Sequence, residues 1–185
     1  MRVIAGSARH IILKTAEGLD TRPTTDRIKE TLFNMLHNSI PGCYFLDLFA
    51  GSGAIGIEAL SRGAAHCDFV EQNAKTAGII RDNLKTTGLT GNVFAADVFS
   101  WLRGRHFERA YDYIFMDPPY NHLFERDVLQ ILKDSDAVDE YTTIIFEASL
   151  ETEFESYLAD MGFRAYKVKT YKTNKHVFIE KAGNN

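Results

Sequence analysis

Apolar residues in this chain fall into two alternating patterns, short solid runs and stripes at helical spacing, and the alternation begins after residue 43. Solid runs bounded by turn residues predict buried strands at Tyr44 to Leu48, His66 to Val70, Asn92 to Ala95, Tyr111 to Met116 and Thr143 to Glu147. Between them, stripes predict helices at Ala54 to Arg62, Asn73 to Thr87 with Gly88 as its stop, Phe124 to Leu132 and Glu153 to Met161, with a helical turn at Val98 to Arg103. Two last strands, Ala165 to Thr170 and His176 to Glu180, form a hairpin through Lys172 to Asn174. Runs apolar on both sides, alternating with helices, imply an α/β fold. Its seven-stranded, mostly parallel sheet is covered on both faces and ends in an antiparallel hairpin.

Residues 1 to 40 stand outside that rhythm. Arg2 to Ala5 and His10 to Lys14 can pair around Gly6 and Ser7, and Thr25 to Leu36 reads as a helix with Ile28, Leu32 and Leu36 along one stripe. With no flexible linker after it, this stretch is expected to be an extension of hairpin and helix packed on a main domain of residues 41 to 185.

Composition narrows the class. At 185 residues and 45% hydrophobic, the chain suits a single domain with a sizeable core. No apolar run approaches the roughly 18 residues of a membrane span, and Met1 to Ser7 lacks a signal peptide's apolar region, so a cytoplasmic protein without membrane association is expected. Cys43 and Cys67 lack the spacing of a zinc knuckle or redox pair and read as reduced core thiols. The six histidines show no ligand spacing, and no metal is expected. A net charge of −4 argues against indiscriminate coating of nucleic acid. The charge is segregated, however, with Arg164 to His176 and the N-terminal stretch basic around an acidic middle, which favours a localised polyanion site.

Candidate chemistry concentrates in two segments. Asp117, Pro118, Pro119 and Tyr120 follow the most apolar strand and offer a carboxylate, a carbonyl and a flat ring in a stiff turn. This arrangement suits a planar amine, although Asp and Pro are also ordinary turn residues. The other segment runs from Asp47 through Phe49, Ala50, Gly51, Ser52 and Gly53 to Gly56, where the first parallel strand turns into its helix and a ligand can approach the backbone. Glu71, with Gln72 beside it, ends the second strand, where an acid accepts hydrogen bonds from ribose hydroxyls. The glycine spacing alone would allow a dinucleotide. Asp47 would repel a diphosphate but attract the ammonium and sulfonium of S-adenosylmethionine, so the acid favours that methyl donor. Asp97 either meets the adenine amino group, with Val98 against the ring, or caps the following turn.

These segments resemble the S-adenosylmethionine-dependent amino-methyltransferases, in which a DxFAGSG segment precedes an (N/D)PP(Y/F) segment. More closely, the chain resembles the bacterial RsmD family, which methylates the exocyclic N2 of one guanine in 16S ribosomal RNA. Arg22 to Asn34 is similar to that family's RPTxDRxRExLFN segment, Asp47 to Gly53 with Glu58 to Ala64 to its DxFAGSGxxGxEALSRGA run, and Asp117 to Tyr120 to its DPP(F/Y). Departures are Lys29 in place of the commoner arginine and a less glycine- and arginine-rich stretch from Ile4 to His10. The resemblance implies a Rossmann-like class I methyltransferase fold and catalysis at Asp117 to Tyr120. It also implies 16S rRNA as partner, in the small ribosomal subunit or its assembly intermediate, and a monomer. Tyr120 would stack on the target base. Arg22, Thr24 and Arg27 could close over the cofactor's carboxylate or bind RNA phosphate, although Thr24 or Thr25 could equally cap the helix. Arg9, His10, Lys172 and Lys175 are further phosphate candidates. Trp101 is expected in the core, with Val98 and Leu102 on its face. Methylation of an adenine N6, a non-catalytic RNA-binding module and an NAD-dependent oxidoreductase are the alternatives.

Overall fold

The computed structural model describes residues 1–15, 26–36, 38–119 and 123–183. Alternation of strand and helix appears where the apolar pattern puts it: α1 (Asp26–Met35), β1 (Tyr44–Leu48), α2 (Ala54–Ser61), β2 (His66–Glu71), α3 (Ala74–Thr87), β3 (Asn92–Ala95), α4 (Val98–Leu102), β4 (Tyr113–Met116), α5 (Phe124–Leu132), β5 (Thr143–Ser149), α6 (Glu155–Asp160), β6 (Phe163–Thr170) and β7 (Asn174–Lys181). Seven strands form one sheet in the order β3-β2-β1-β4-β5-β7-β6. The first five run parallel, while β7 is antiparallel to both β5 and β6.

Both faces are covered, which is why the central strands are apolar without alternation. Phe45, Phe69, Phe115, Ile145 and Phe178 point to one face and pack with α1, α2 and α3; Leu46, Val70, Ile114, Ile144 and Val177 point to the other and pack with α4, α5 and α6. Helix ends follow the sequence signals. Asn73 caps α3 through its side chain, and Gly88 closes it in the left-handed region at φ 68°.

The hairpin is longer than the sequence predicts. β6 and β7 pair from Phe163↔Lys181 to Thr170↔Lys175, leaving the tight turn at Tyr171 to Thr173, because Asn174 is buried against β5 and continues the ladder. β4 is shorter than expected, since Tyr111 leaves the ladder to bond with its hydroxyl to Asp68.

The N-terminal pairing is reduced to one bridge, Arg2↔Ile12, flanked by backbone bonds from Val3 to Ile11 and from Leu13 to Met1. Its anchorage is polar and buried. Glu58 of α2 accepts from the backbone N–H of Ile4 at 2.8 Å and of Ala5 at 3.0 Å, and pairs with Arg62 at 2.8 Å and Lys29 at 3.3 Å. Lys29 also donates to the Arg2 carbonyl at 2.5 Å. The buried face of α1 is accordingly Lys29, Leu32 and Phe33 rather than a purely apolar stripe. Burial pulls the Lys29 ammonium below its ordinary range, while Glu58 pushes it back up.

Breaking one member of a buried pair leaves an uncompensated charge and costs about 3–5 kcal/mol. Glu58→Gln is therefore expected to destabilise by that amount in urea unfolding. Lys29→Met is expected to cost less, because Glu58 keeps Arg62 and two backbone amides.

Candidate functional site

Chain order reverses between β1 and β4: the chain leaves β1 toward β2 on one side and returns through β4 on the other. In open α/β sheets such a switch point opens a crevice beyond the carboxyl ends of the strands. In register, Leu48 lies opposite Val70 and Met116, and Met116 opposite Phe146. Asp47 shares a row with Phe69 and Phe115, facing α1 to α3. Because side chains alternate along a strand, the next row on that face holds Glu71, Asp117, Glu147 and, opposite Glu147, His176. Four strands thus bring carboxylates to one end of the sheet.

The glycine segment forms the turn above β1. Phe49 lies in the left-handed region at φ 56°, a costly conformation for an aromatic residue, and Gly51 and Gly53 follow at φ 54° and 76°. A Cβ on Gly51 would meet nothing within 4 Å, so the backbone there faces open space. Gly56 has a different role, because a Cβ there would lie 2.3 Å from the Phe69 ring and 2.6 Å from the Cys67 sulfur, and its absence lets α2 sit close on the sheet.

Side chains expected to face a ligand also hold this turn together. Asp47 accepts from the Gly56 N–H at 2.9 Å; Glu71 accepts from Gly51 N–H at 2.9 Å and from Asn73 N–H at 2.8 Å. Each carboxylate oxygen has a second lone pair, so Glu71 can still receive hydroxyl donors. Asp47 is only 2% exposed, and burial, opposed by the Gly56 bond and aided by Glu71, pushes it up to about 8. At Asp117, burial first, then Glu147 and Asp47, push the carboxyl well above the usual carboxylate range. Pro118 is buried and Pro119 exposed. Open backbone over Gly51 and a row of carboxylate side chains below it, which a cation would help to ionise, fit a cationic nucleoside cofactor.

One flank of the crevice is apolar. The Phe49 and Phe124 rings stack with planes 2° apart, and Phe99 meets both edge-on, with centroids 6.4 and 5.4 Å away. Asp97 caps α4, accepting from the Ser100 N–H at 2.9 Å, and Val98 behind it is buried. Gln72 is exposed beside Glu71. Trp101 is buried against Phe94 and Phe107, as expected of a core residue. Burial raises both thiols, Cys43 to about 12.

The basic candidates separate into two groups. Arg9, His10 and Arg27 line one cavity of about 360 Å³ together with Arg2, Ile4, Asp26 and Glu30. Lys172 is exposed in the β6–β7 turn, but the Lys175 ammonium donates to the carbonyls of Thr152 at 2.7 Å and Leu150 at 3.1 Å and lies over the Phe154 ring. Lys175 is therefore engaged within the fold. Tyr120, Arg22 and Thr24 lie outside the described residues.

Sequence reasoning missed Asn83, which donates to the carbonyls of Ser52 and Lys14, both at 3.0 Å, and accepts from the Lys14 N–H. Its signal was available: a polar residue within the apolar stripe of α3. Glu147 was missed as well, although it ends an apolar run as Asp117 does.

Asp47 supports a prediction of sign. Its carboxyl ionises near 3.8 when unfolded and near 8 when folded, so the native state binds the extra proton between those values and stability falls as pH rises through that window. Asp47→Asn, whose amide oxygen can still accept from Gly56, is expected to flatten that fall in thermal melts recorded from pH 4 to pH 9.

Comparison with known proteins places this geometry. Residues 1–180 match the family model described as Conserved hypothetical protein 95. YlbH of Bacillus subtilis, named as a candidate rRNA methyltransferase, is 40% identical over 164 residues, covering 87% of this chain and 89% of the relative. Ribosomal RNA small subunit methyltransferase D of Escherichia coli is 32% identical over 170 residues, covering 91% and 84%. Among solved structures, YhhF of Escherichia coli, titled as a candidate methyltransferase, superposes with a TM-score of 0.85 at 29% identity, over 100% of this chain and 99% of that one. The sheet order, the acidic switch point and these relatives agree, and the chain belongs to the RsmD family of class I methyltransferases.

Proposed function

We propose that the protein transfers a methyl group from S-adenosylmethionine to the exocyclic N2 amine of a guanine in 16S ribosomal RNA of the small subunit. The observation that carries this reading is the placement of Asp117 and Pro118 beside the glycine turn, within a row of carboxylates at the switch point. S-adenosylmethionine, when bound, supplies an electrophilic methyl group on a sulfonium. Glu71 and the backbone of Gly51 to Gly53 would hold its ribose and amino-acid portions, Asp47, whose proton burial holds up to about pH 8, would ionise beneath its cationic groups because a nearby cation favours the charged form, and Phe49, Asp97 and Val98 would border its adenine.

A guanine amine is a weak nucleophile because its lone pair is delocalised into the ring, so the protein's task is largely orientation. Asp117 and the Pro118 carbonyl accept the two amine hydrogens, which turns the lone pair toward the methyl group and stabilises the charge developing on nitrogen. Tyr120 stacks on the base once it has left its own stack. Pro119 contributes stiffness.

The described parts of the N-terminal extension pack on the core, and the cavity lined by Arg2, Arg9, His10 and Arg27, with Asp26 and Glu30 at its wall, suits RNA phosphate, with Lys172 as a second contact. The protein acts as a monomer in this reading. Adenine N6 methylation would use the same amine-holding groups and is the second reading. Carboxylates close beneath the glycine turn weigh against a diphosphate and hence against nicotinamide chemistry.

Incubation with labelled S-adenosylmethionine and either naked 16S RNA or small subunits lacking the modification is expected to label a guanine N2. Label on an adenine N6, or on no RNA, would refute the assignment. Asp117→Ala is expected to lower transfer by roughly 10²–10³-fold while cofactor affinity measured by calorimetry stays within a few-fold.

A further inference from the structure

Glu147 lies beside Asp117 and has no part in the chemistry above. Because Met116 pairs with Phe146, the two acids follow side by side on adjacent parallel strands, with backbones about 4.8 Å apart. Across the antiparallel pair, Glu147 faces His176 directly. Its Oε1 accepts from Asn174 Nδ2 at 2.5 Å, and its Oε2 lies 3.2 Å from His176 Nε2. Asn174 is buried and His176 is 0% exposed. The imidazole is fixed from beyond: Nδ1 lies 3.3 Å from the Tyr171 hydroxyl, the Tyr171 ring packs edge-on at 5.0 Å, and Phe115 lies against it at 5.8 Å. Burying this many polar groups is unfavourable unless each is paired, and apolar side chains would join β5 to β7 at least as well. The arrangement serves the carboxylate, and the carboxylate sits behind the amine-holding acid.

We infer that Glu147 is a positioning residue that works through Asp117: the two carboxylates share one proton site, which takes up the proton released by the methylated amine, while Asn174 and His176 fix Glu147. The inference rests on the methyl-transfer reading above. As the nitrogen lone pair forms the new N–C bond, the C–S bond breaks and its electron pair stays on sulfur. The positively charged nitrogen then loses one proton to a carboxylate oxygen of the pair, and neutral methylamino base remains. No other reactant is needed.

Two like charges on adjacent strand ends cannot both ionise freely, so the pair binds one proton more tightly than either acid alone. Among the described residues, groups from four elements act on this balance. Asp47 of β1 and Glu147 of β5 face Asp117; Asn174 and His176 of β7 and Tyr171 of the β6–β7 turn face Glu147. Burial, Glu147 and Asp47 all raise Asp117, so removing the Glu147 charge lowers it.

The test is Glu147→Gln, which keeps the side chain's size and the oxygen that accepts from Asn174 while removing the charge. Carbon-13 NMR of the Asp117 carboxyl in the cofactor-free protein is expected to show its titration moving to lower pH in the variant. The acid limb of the kcat profile is expected to move the same way, with kcat down on the order of 10²-fold and KM for RNA within about twofold. His176→Ala is expected to lower kcat, and His176→Gln to restore most of the loss. An unchanged Asp117 titration in Glu147→Gln would overturn the inference. So would a wild-type Asp117 signal that titrates once in the ordinary carboxylate range, whether or not any variant folds. A wild type that shows the paired titration but labels no RNA supports the pair and refutes the substrate assignment instead.

Discussion

The hydrogen bond from the Gly56 N–H to Asp47 is the contact on which the rest of this site depends. It joins the end of the central strand to the first turn of α2 and closes the chain between them into the glycine turn, which Glu71 and Asn83 then brace. The same bond keeps a carboxylate in the interior at the sheet's switch point, where burial holds its proton up to about pH 8. Structure and electrostatics therefore share one cause. An acid that shapes the loop is also one whose ionisation answers to charge above it, since a cation there would favour loss of its proton and gain a counter-ion.

That dual use explains the disposition of the neighbouring acids. Glu71 fixes the loop through two backbone amides, and Asp97 caps a helix, yet both stay at the edge of the crevice. Local capping and ligand contact are not exclusive, because a carboxylate has more lone pairs than one amide uses. The site's rigidity thus comes from the residues that line it.

Much of the fold was legible because strands buried on both faces must be continuously apolar and helices between them must be striped. Element boundaries slipped where side chains, not periodicity, decide: Asn174 extends β7 because it reaches Glu147, and Tyr111 leaves β4 because it reaches Asp68. In the site, the glycine turn and Asp117 carried local signals. Lys29 did not, since its burial depends on Glu58 some thirty positions later, a contact no local pattern reports. Lys175 misled for the opposite reason: a basic residue in a basic run looked free, while its ammonium caps carbonyls after β5.

Asn83 gives the architecture a limit on its modularity. One side-chain amide, 1% exposed, grips the carbonyl of Ser52 in the glycine turn and both backbone groups of Lys14 in the N-terminal extension. The extension is thus not an appendage that could be exchanged for another while the core stayed as it was. Trimming it would unseat an amide on which the turn over the crevice also relies. A designer moving this extension to a different core would have to transplant α3 with it.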